Sequence, residues 1–326
     1  MEPHARDRTL AIRLATEMVE MTQQTDENEH LARGMWAAAA AIFMFTLMNA
    51  IAKHLSASHS VVEIVFFRNL VACVPFLIAG FAFGRREIFL IQSKPRLVVT
   101  RAILGTVTLA TTFTAFSLMP MAETTVLLFA ASLFIPVLGV LILRERVGPY
   151  RWTAVFTGFI GVSIMVQPTG AVTTLGVVVA LCAALLQATM SILLRHLGGH
   201  ERPETTTFYF FIIGTLLSGL AMPFVATGLT LTEIPFFIAV GLSGAAAQWL
   251  YSTAMKYTPA ALVAVINYSS ILWAISFGWL VWNDWPLPIV FVGTAIVIGS
   301  NLLIVWRERS LRRALQASKA ALPPPY

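Results

Sequence analysis

At 326 residues, with 57% apolar and only 12% charged side chains and a mean hydropathy of +0.77, the chain carries too little charge to cover a water-facing surface. A soluble domain usually carries about 25%, so lipid is the solvent for most of this one. The net charge of +6 does not point to nucleic acid, because the basic residues sit in short connections between apolar runs.

In chain order, residues 1–33 form a polar tail of mixed charge without a signal-peptide core. Leu10, Leu14, Met18 and Met21 recur near helical spacing, which fits a short surface helix, a disordered tail or a misplaced start equally. Ten apolar runs follow, at about 34–54, 61–83, 97–118, 121–143, 151–168, 172–195, 205–226, 233–255, 260–282 and 286–306. A hydrocarbon core about 30 Å thick takes roughly 20 such residues per helix. Runs this long and uniform do not suit barrel strands, so the expectation is an all-α integral membrane fold with ten transmembrane helices.

The polar residues inside these runs are the candidates for chemistry. Asn49 and Lys53 lie four apart on one face of the first helix. Asn49 needs a hydrogen-bond partner, from a helix or a solute, and Lys53 either snorkels to the headgroups or serves a gate. Arg68, about seven residues into the second helix, is the costliest group in the chain. A guanidinium centred in a span costs about 2.5–3.5 kcal/mol on insertion scales. It should therefore face the interior, paired with Glu63 or Glu123, and either bind an anionic or carbonyl group of a solute or lock two helices. The threonines of the third helix (Thr106, Thr108, Thr111, Thr112, Thr114) suit close helix approach, and Pro75, Pro136 and Pro223 suit kinks. Gln187, then Gln248, Trp249, Tyr251, Asn267 and Tyr268, place amides and rings in mid-span. Such groups build a solute pocket or glue helices together. Trp279, Trp282 and Trp285 read as an interfacial belt. Glu145 and Asp284 close the fourth and ninth helices at opposite membrane faces and suit gate or end-capping contacts.

Both cysteines, Cys73 and Cys182, fall inside apolar runs, and no CxxC or Cys/His cluster occurs, so neither a metal nor any other cofactor is expected. All six histidines lie in tails or connections, and the aspartates are Asp7, Asp26 and Asp284. No G-x-x-x-x-G-K-[ST] run occurs either, so neither an intramembrane enzyme nor an ATP-driven pump is supported.

Topology follows from the basic residues. With ten helices, 20 of the 22 Lys and Arg fall on one side, leaving only Lys53 and Arg68. That split places both termini in the cytoplasm. The stretch Phe116–Glu145 also lies over Met255–Asp284 at a shift of 139 positions. Pro120 falls on Pro259, Val126 on Val265, Leu133 on Leu272, Gly139 on Gly278, and Glu145 on Asp284. Five helices per copy is an odd number, so the second copy enters the membrane from the opposite face. Inverted repeats of this kind suit alternating access around a midplane site.

These features resemble the drug/metabolite transporter superfamily, in its ten-helix EamA-type branch. The resemblance rests on Pro120, on Pro136, on LRERVGPYRWTAVFTGFIGVSIMV (Leu143–Val166) with Gly158 and Gly161, and on EIVFFRNL (Glu63–Leu70). The second copy keeps Pro259, Asp284, Gly293 and Gly299 but has Ile275 where Pro136 would recur. The resemblance implies a cytoplasmic tail (1–33), a first repeat (34–168), an inverted second repeat (169–306) and a basic tail (307–326). It also implies a bacterial inner-membrane location and transport of small metabolites without ATP. Together with the aromatic, amide-rich helices, it favours uptake of a heteroaromatic solute such as riboflavin or S-adenosylmethionine, with protons as the candidate coupling ion. Export of amino acids or related metabolites is the alternative, and an intramembrane enzyme the remote one. The oligomeric state stays open.

Overall fold

The computed structural model describes residues 3–92, 94–144, 148–165, 172–197 and 202–320. Every regular element among them is helical. They are α1 (Pro3–Leu55), α2 (Val61–Phe81), α3 (Pro95–Leu118), α4 (Met121–Leu128), α5 (Ala131–Leu143), α6 (Pro149–Met165), α7 (Thr174–Leu197), α8 (Pro203–Val225), α9 (Ile234–Tyr257), α10 (Ala260–Asn267), α11 (Ser269–Trp282) and α12 (Pro288–Ala320). A short 3-10 turn, Arg86–Phe89, links α2 to α3. Eight spans are long and apolar enough to cross a bilayer, and the apolar parts of α6 and α12 supply two shorter ones. The fourth span is α4 with α5 and the ninth is α10 with α11, which gives ten. The tail before the first span continues α1 as helix backbone, and α12 likewise runs on past the tenth span.

Local sequence sets the helix boundaries. Ser60 caps α2 by accepting the Glu63 amide at 3.2 Å, and prolines open α3, α8 and α9, where no intrahelical donor is lost. Pro75, Pro136 and Pro223 sit inside α2, α5 and α8.

The two copies of the repeat match closely. Pro120 and Pro259 occupy the N-cap positions of α4 and α10, whose ranges are related by a shift of 139 positions. Both spans then break at the related residues Phe129 and Tyr268, whose rings pack against each other at a tilt of 33° with centroids 5.0 Å apart. At their far ends the helices stop on Arg144 (φ 53°) and Asn283 (φ 58°), again 139 apart and the only non-glycine residues with positive φ among those described. A left-handed residue at this point lets its amide reach back to the last turn: Arg144 bonds the Gly139 carbonyl and Asn283 the Gly278 and Trp279 carbonyls.

Packing follows the same symmetry. α1 lies along α9 and α3 along α7, and a shift by one repeat turns the first pair into the second. α2 packs on α8, and α6 on α12, each pair being first-repeat against second-repeat. Two inverted five-helix repeats are thus interleaved rather than set side by side. Between α6 and α12 the backbones nearly touch: a Cβ on Gly293 would lie 2.7 Å from the Gly161 carbonyl oxygen. The outward surface carries large apolar side chains, with Phe224 87% and Leu220 75% exposed, as a lipid-facing surface requires.

Candidate functional site

A cavity of about 440 Å³ lies among eight of the ten spans; among the described residues, α5, α6 and α12 contribute nothing to its lining. Its size falls within the roughly 300–1,000 Å³ of small-molecule sites. Six of the residues expected from the sequence line it: Asn49, Arg68, Gln187, Gln248, Tyr251 and Asn267. They come from α1, α2, α7, α9 and α10, elements far apart in sequence that the repeat symmetry draws together. Phenylalanines supply much of the apolar wall, among them Phe45, Phe116, Phe129 and Phe210. Among the described lining residues there is no carboxylate.

Trp249 and Tyr268 are placed elsewhere. Trp249 is 66% exposed and points to the lipid side. Successive helix residues diverge by about 100°, so Gln248 and Trp249 cannot share one lumen, whereas Gln248 and Tyr251, three apart, do. Tyr268 packs its ring at a tilt against Phe129 at the helix breaks instead.

Arg68 is 2% exposed, and its expected acidic partner is not there. Its Nη1 donates to Asn69 Oδ1 at 2.8 Å, and its guanidinium lies over the rings of Phe211 (4.9 Å) and Phe210 (5.4 Å). Glu63 is held instead by Thr227, whose hydroxyl donates to Oε2 at 2.9 Å, and by His59, whose Nδ1 is 3.2 Å from the same oxygen. Glu123 is buried at the start of α4, and its Oε2 has no partner among the described residues. Placing Arg68 by depth alone missed the helix face: five residues separate Glu63 from Arg68, which turns the two side chains apart.

Of the expected gate residues, Lys53 does not snorkel. Its Nζ donates to the carbonyls of Met119 (2.6 Å) and Phe116 (3.1 Å), so it caps the C-terminal end of α3, where a cation suits the helix dipole. Its ammonium also lies 5.4 Å from the centre of the Trp282 ring. Asp284 follows the left-handed stop of α11 and bonds the Gly278 carbonyl through its amide. Glu145 lies outside the described residues.

Sequence reasoning missed several groups. Arg101 counts in the sequence among the basic residues that mark topology, but it is 7% exposed in α3 and lines the cavity; its Nη1 donates to the Thr206 carbonyl at 3.0 Å. Its signal was an arginine seven residues inside a helix that Pro95 opens. Thr108 and Thr112 also line the cavity, a correction to their reading as close-approach residues only. His59 looked like a loop residue, yet it is 6% exposed and joins three segments. Besides Glu63, its Nδ1 meets the Thr227 hydroxyl at 2.8 Å, and its Nε2 is 3.1 Å from Glu233 Oε1, within ion-pair distance but off hydrogen-bonding geometry. This cluster ties the start of α2 to the α8–α9 connection and the start of α9. At the opposite end of the bundle, Arg202 beside Glu87 holds that carboxyl below its usual range by a hydrogen bond and by charge, pinning the 3-10 turn to α8.

The model of the EamA-like transporter family matches residues 32–167 and 174–306. The pseudopaline exporter CntI of Pseudomonas aeruginosa is 28% identical over 275 residues, covering 82% of this chain and 94% of that one. A riboflavin transporter of Rhizobium johnstonii is 30% identical over 219 residues, covering 66% and 72%. An S-adenosylmethionine uptake transporter of Rickettsia prowazekii is 23% identical over 265 residues, covering 81% and 89%.

Proposed function

The chain belongs to the EamA-like transporter family, and from that premise we propose that it is a secondary transporter whose cavity takes up a flat heteroaromatic metabolite by alternating access. That it is a multi-pass membrane transporter of small solutes, and not an enzyme, goes with the family. The solute, the direction and the cycle are our reading. One observation carries it: aromatic walls and four amides, Asn49, Gln187, Gln248 and Asn267, meet in a cavity with no carboxylate among its described lining residues. A ring system stacks on such walls while the amides satisfy its carbonyl and ring-nitrogen edges. A flavin fits this description. S-adenosylmethionine fits it less well, since its sulfonium would face two buried guanidiniums and no compensating acid. Likeness to an exporter over most of the chain favours a second reading, in which the solute is an amino-acid-like metabolite moving outward.

The test is uptake into sealed vesicles, with riboflavin, S-adenosylmethionine and amino acids as competitors for one another. Saturable flavin flux that S-adenosylmethionine fails to compete is expected. Amino-acid flux without flavin flux would move the assignment to the second reading, and no flux of any kind would overturn both.

We further propose that residues 34–168 and 169–306 form the repeats of a bacterial cytoplasmic-membrane protein with both tails inside. The buried Glu123 carboxyl is the candidate for proton coupling. Single cysteines introduced in either tail should resist an impermeant thiol reagent in intact cells; labelling of one tail alone would break the inverted topology.

A further inference from the structure

We propose that Arg68 and Arg101 together form an oxyanion subsite of the cavity, so that among flat heteroaromatic solutes it prefers those with a carboxylate or phosphate group, which these two arginines hold, to their neutral twins. The inference rests on the transport reading above and narrows its substrate class.

Both residues line the cavity, and both are more than nine-tenths buried. Their guanidiniums share one ring: Phe210 lies 5.4 Å from the Arg68 carbon and 5.5 Å from that of Arg101. Two cations brought to one buried ring need compensation, and no described carboxylate supplies it. Among the described residues no carboxylate is within ion-pair distance of either. Arg68 spends one donor on Asn69 and Arg101 one on Thr206, and the Nε of each has no acceptor among the described residues. A guanidinium presents five donors in a planar fork that matches an oxyanion. Desolvated charges without a counter-charge are costly, so a purely structural role would be served more cheaply by neutral residues. Space for the first guanidinium is built in: a Cβ on Gly244 would lie 2.8 Å from Arg68 Nε and 3.0 Å from Nη2. The glycine in α9 thus sets where that charge stands.

The test uses the full chain in detergent and two matched probe pairs: indole-3-acetate against indole-3-acetamide, and riboflavin 5′-phosphate against riboflavin. The expected result is that at least one anionic probe binds about tenfold tighter than its neutral twin, equivalent to 1.4 kcal/mol. The pair that responds tells a carboxylate site from a phosphate site. Arg101→Gln, which keeps a donor for Thr206, should shrink that preference to about threefold or less while the neutral twin stays within about twofold. Gly244→Ala should act likewise by pressing Arg68 aside, with no change of charge. Equal binding within both pairs in the wild type, or a preference that survives both substitutions, would overturn the subsite and leave the transport reading standing. Binding of none of the four probes to protein that still unfolds cooperatively would overturn the heteroaromatic transport reading itself, and the subsite with it.

Discussion

Arg68→Ala is expected to cut flux by about 10- to 150-fold while the protein still reaches the membrane in normal amount. The magnitude follows from the loss of charge-assisted hydrogen bonds to the solute, worth about 1.5–3 kcal/mol. Insertion should not suffer, because removing a guanidinium from a span relieves a cost of about 2.5–3.5 kcal/mol. Packing does suffer: the side chain fills space between Phe210, Phe211 and Gly244. The thermal midpoint should therefore fall by several degrees without loss of the folded state. Arg68→Lys should keep part of the flux, since it restores the charge but not the planar fork. Vesicle uptake normalised to membrane-inserted protein is the measurement. Normal flux in the alanine variant would leave Arg68 as packing and nothing more.

Gly293→Val is expected to have the largest effect on the folded state itself. The valine Cβ would fall 2.7 Å from the Gly161 carbonyl oxygen and against the Met165 side chain, and backbone cannot step aside as a side-chain tip can. Overpacking a well-formed core costs about 1–3 kcal/mol where side chains absorb it. Here the helices must separate, and the seam between α6 and α12 opens along its length. Gly161→Val should do the same from the other side, where an added Cβ lies 3.0 Å from the Gly293 carbonyl. Gly299→Val on the same helix is the control, because nothing lies within 4 Å of a Cβ placed there. Size-exclusion profiles and thermal midpoints in detergent would separate the three. A Gly293→Val protein as monodisperse and heat-stable as Gly299→Val would refute the account of this seam.

Much of the architecture was legible because it is periodic. Hydropathy marked the ten spans, and the 139-residue shift anticipated elements that repeat to the residue, including Pro120 and Pro259 at matching helix starts. The breaks at Phe129 and Tyr268 were not legible, since an apolar run reads the same whether its helix is continuous or interrupted. The site was legible in kind, because an amide or a cation in mid-span must face inward. Which face each side chain took was not. Trp249 turned outward because Gln248 turned inward, and Arg68 found aromatic rings where depth alone suggested Glu63 or Glu123. Arg101 was hidden by its neighbourhood: next to a basic connection it counted as topology, although Pro95 had already begun the helix that carries it inward. His59 was hidden likewise, because burial of a connection depends on α8 and α9, elements more than a hundred residues away.

The contact between Phe129 and Tyr268 bears on how such a molecule moves. Each ring is the other's image under the operation that swaps the halves, so their meeting point lies on the line about which the swap is made. If the two halves trade shapes during a cycle, every atom off that line must travel and those on it stay put. A see-saw works only if its pin is fixed, and in such a cycle the pin would be this pair of tilted rings, set where both beams are already jointed.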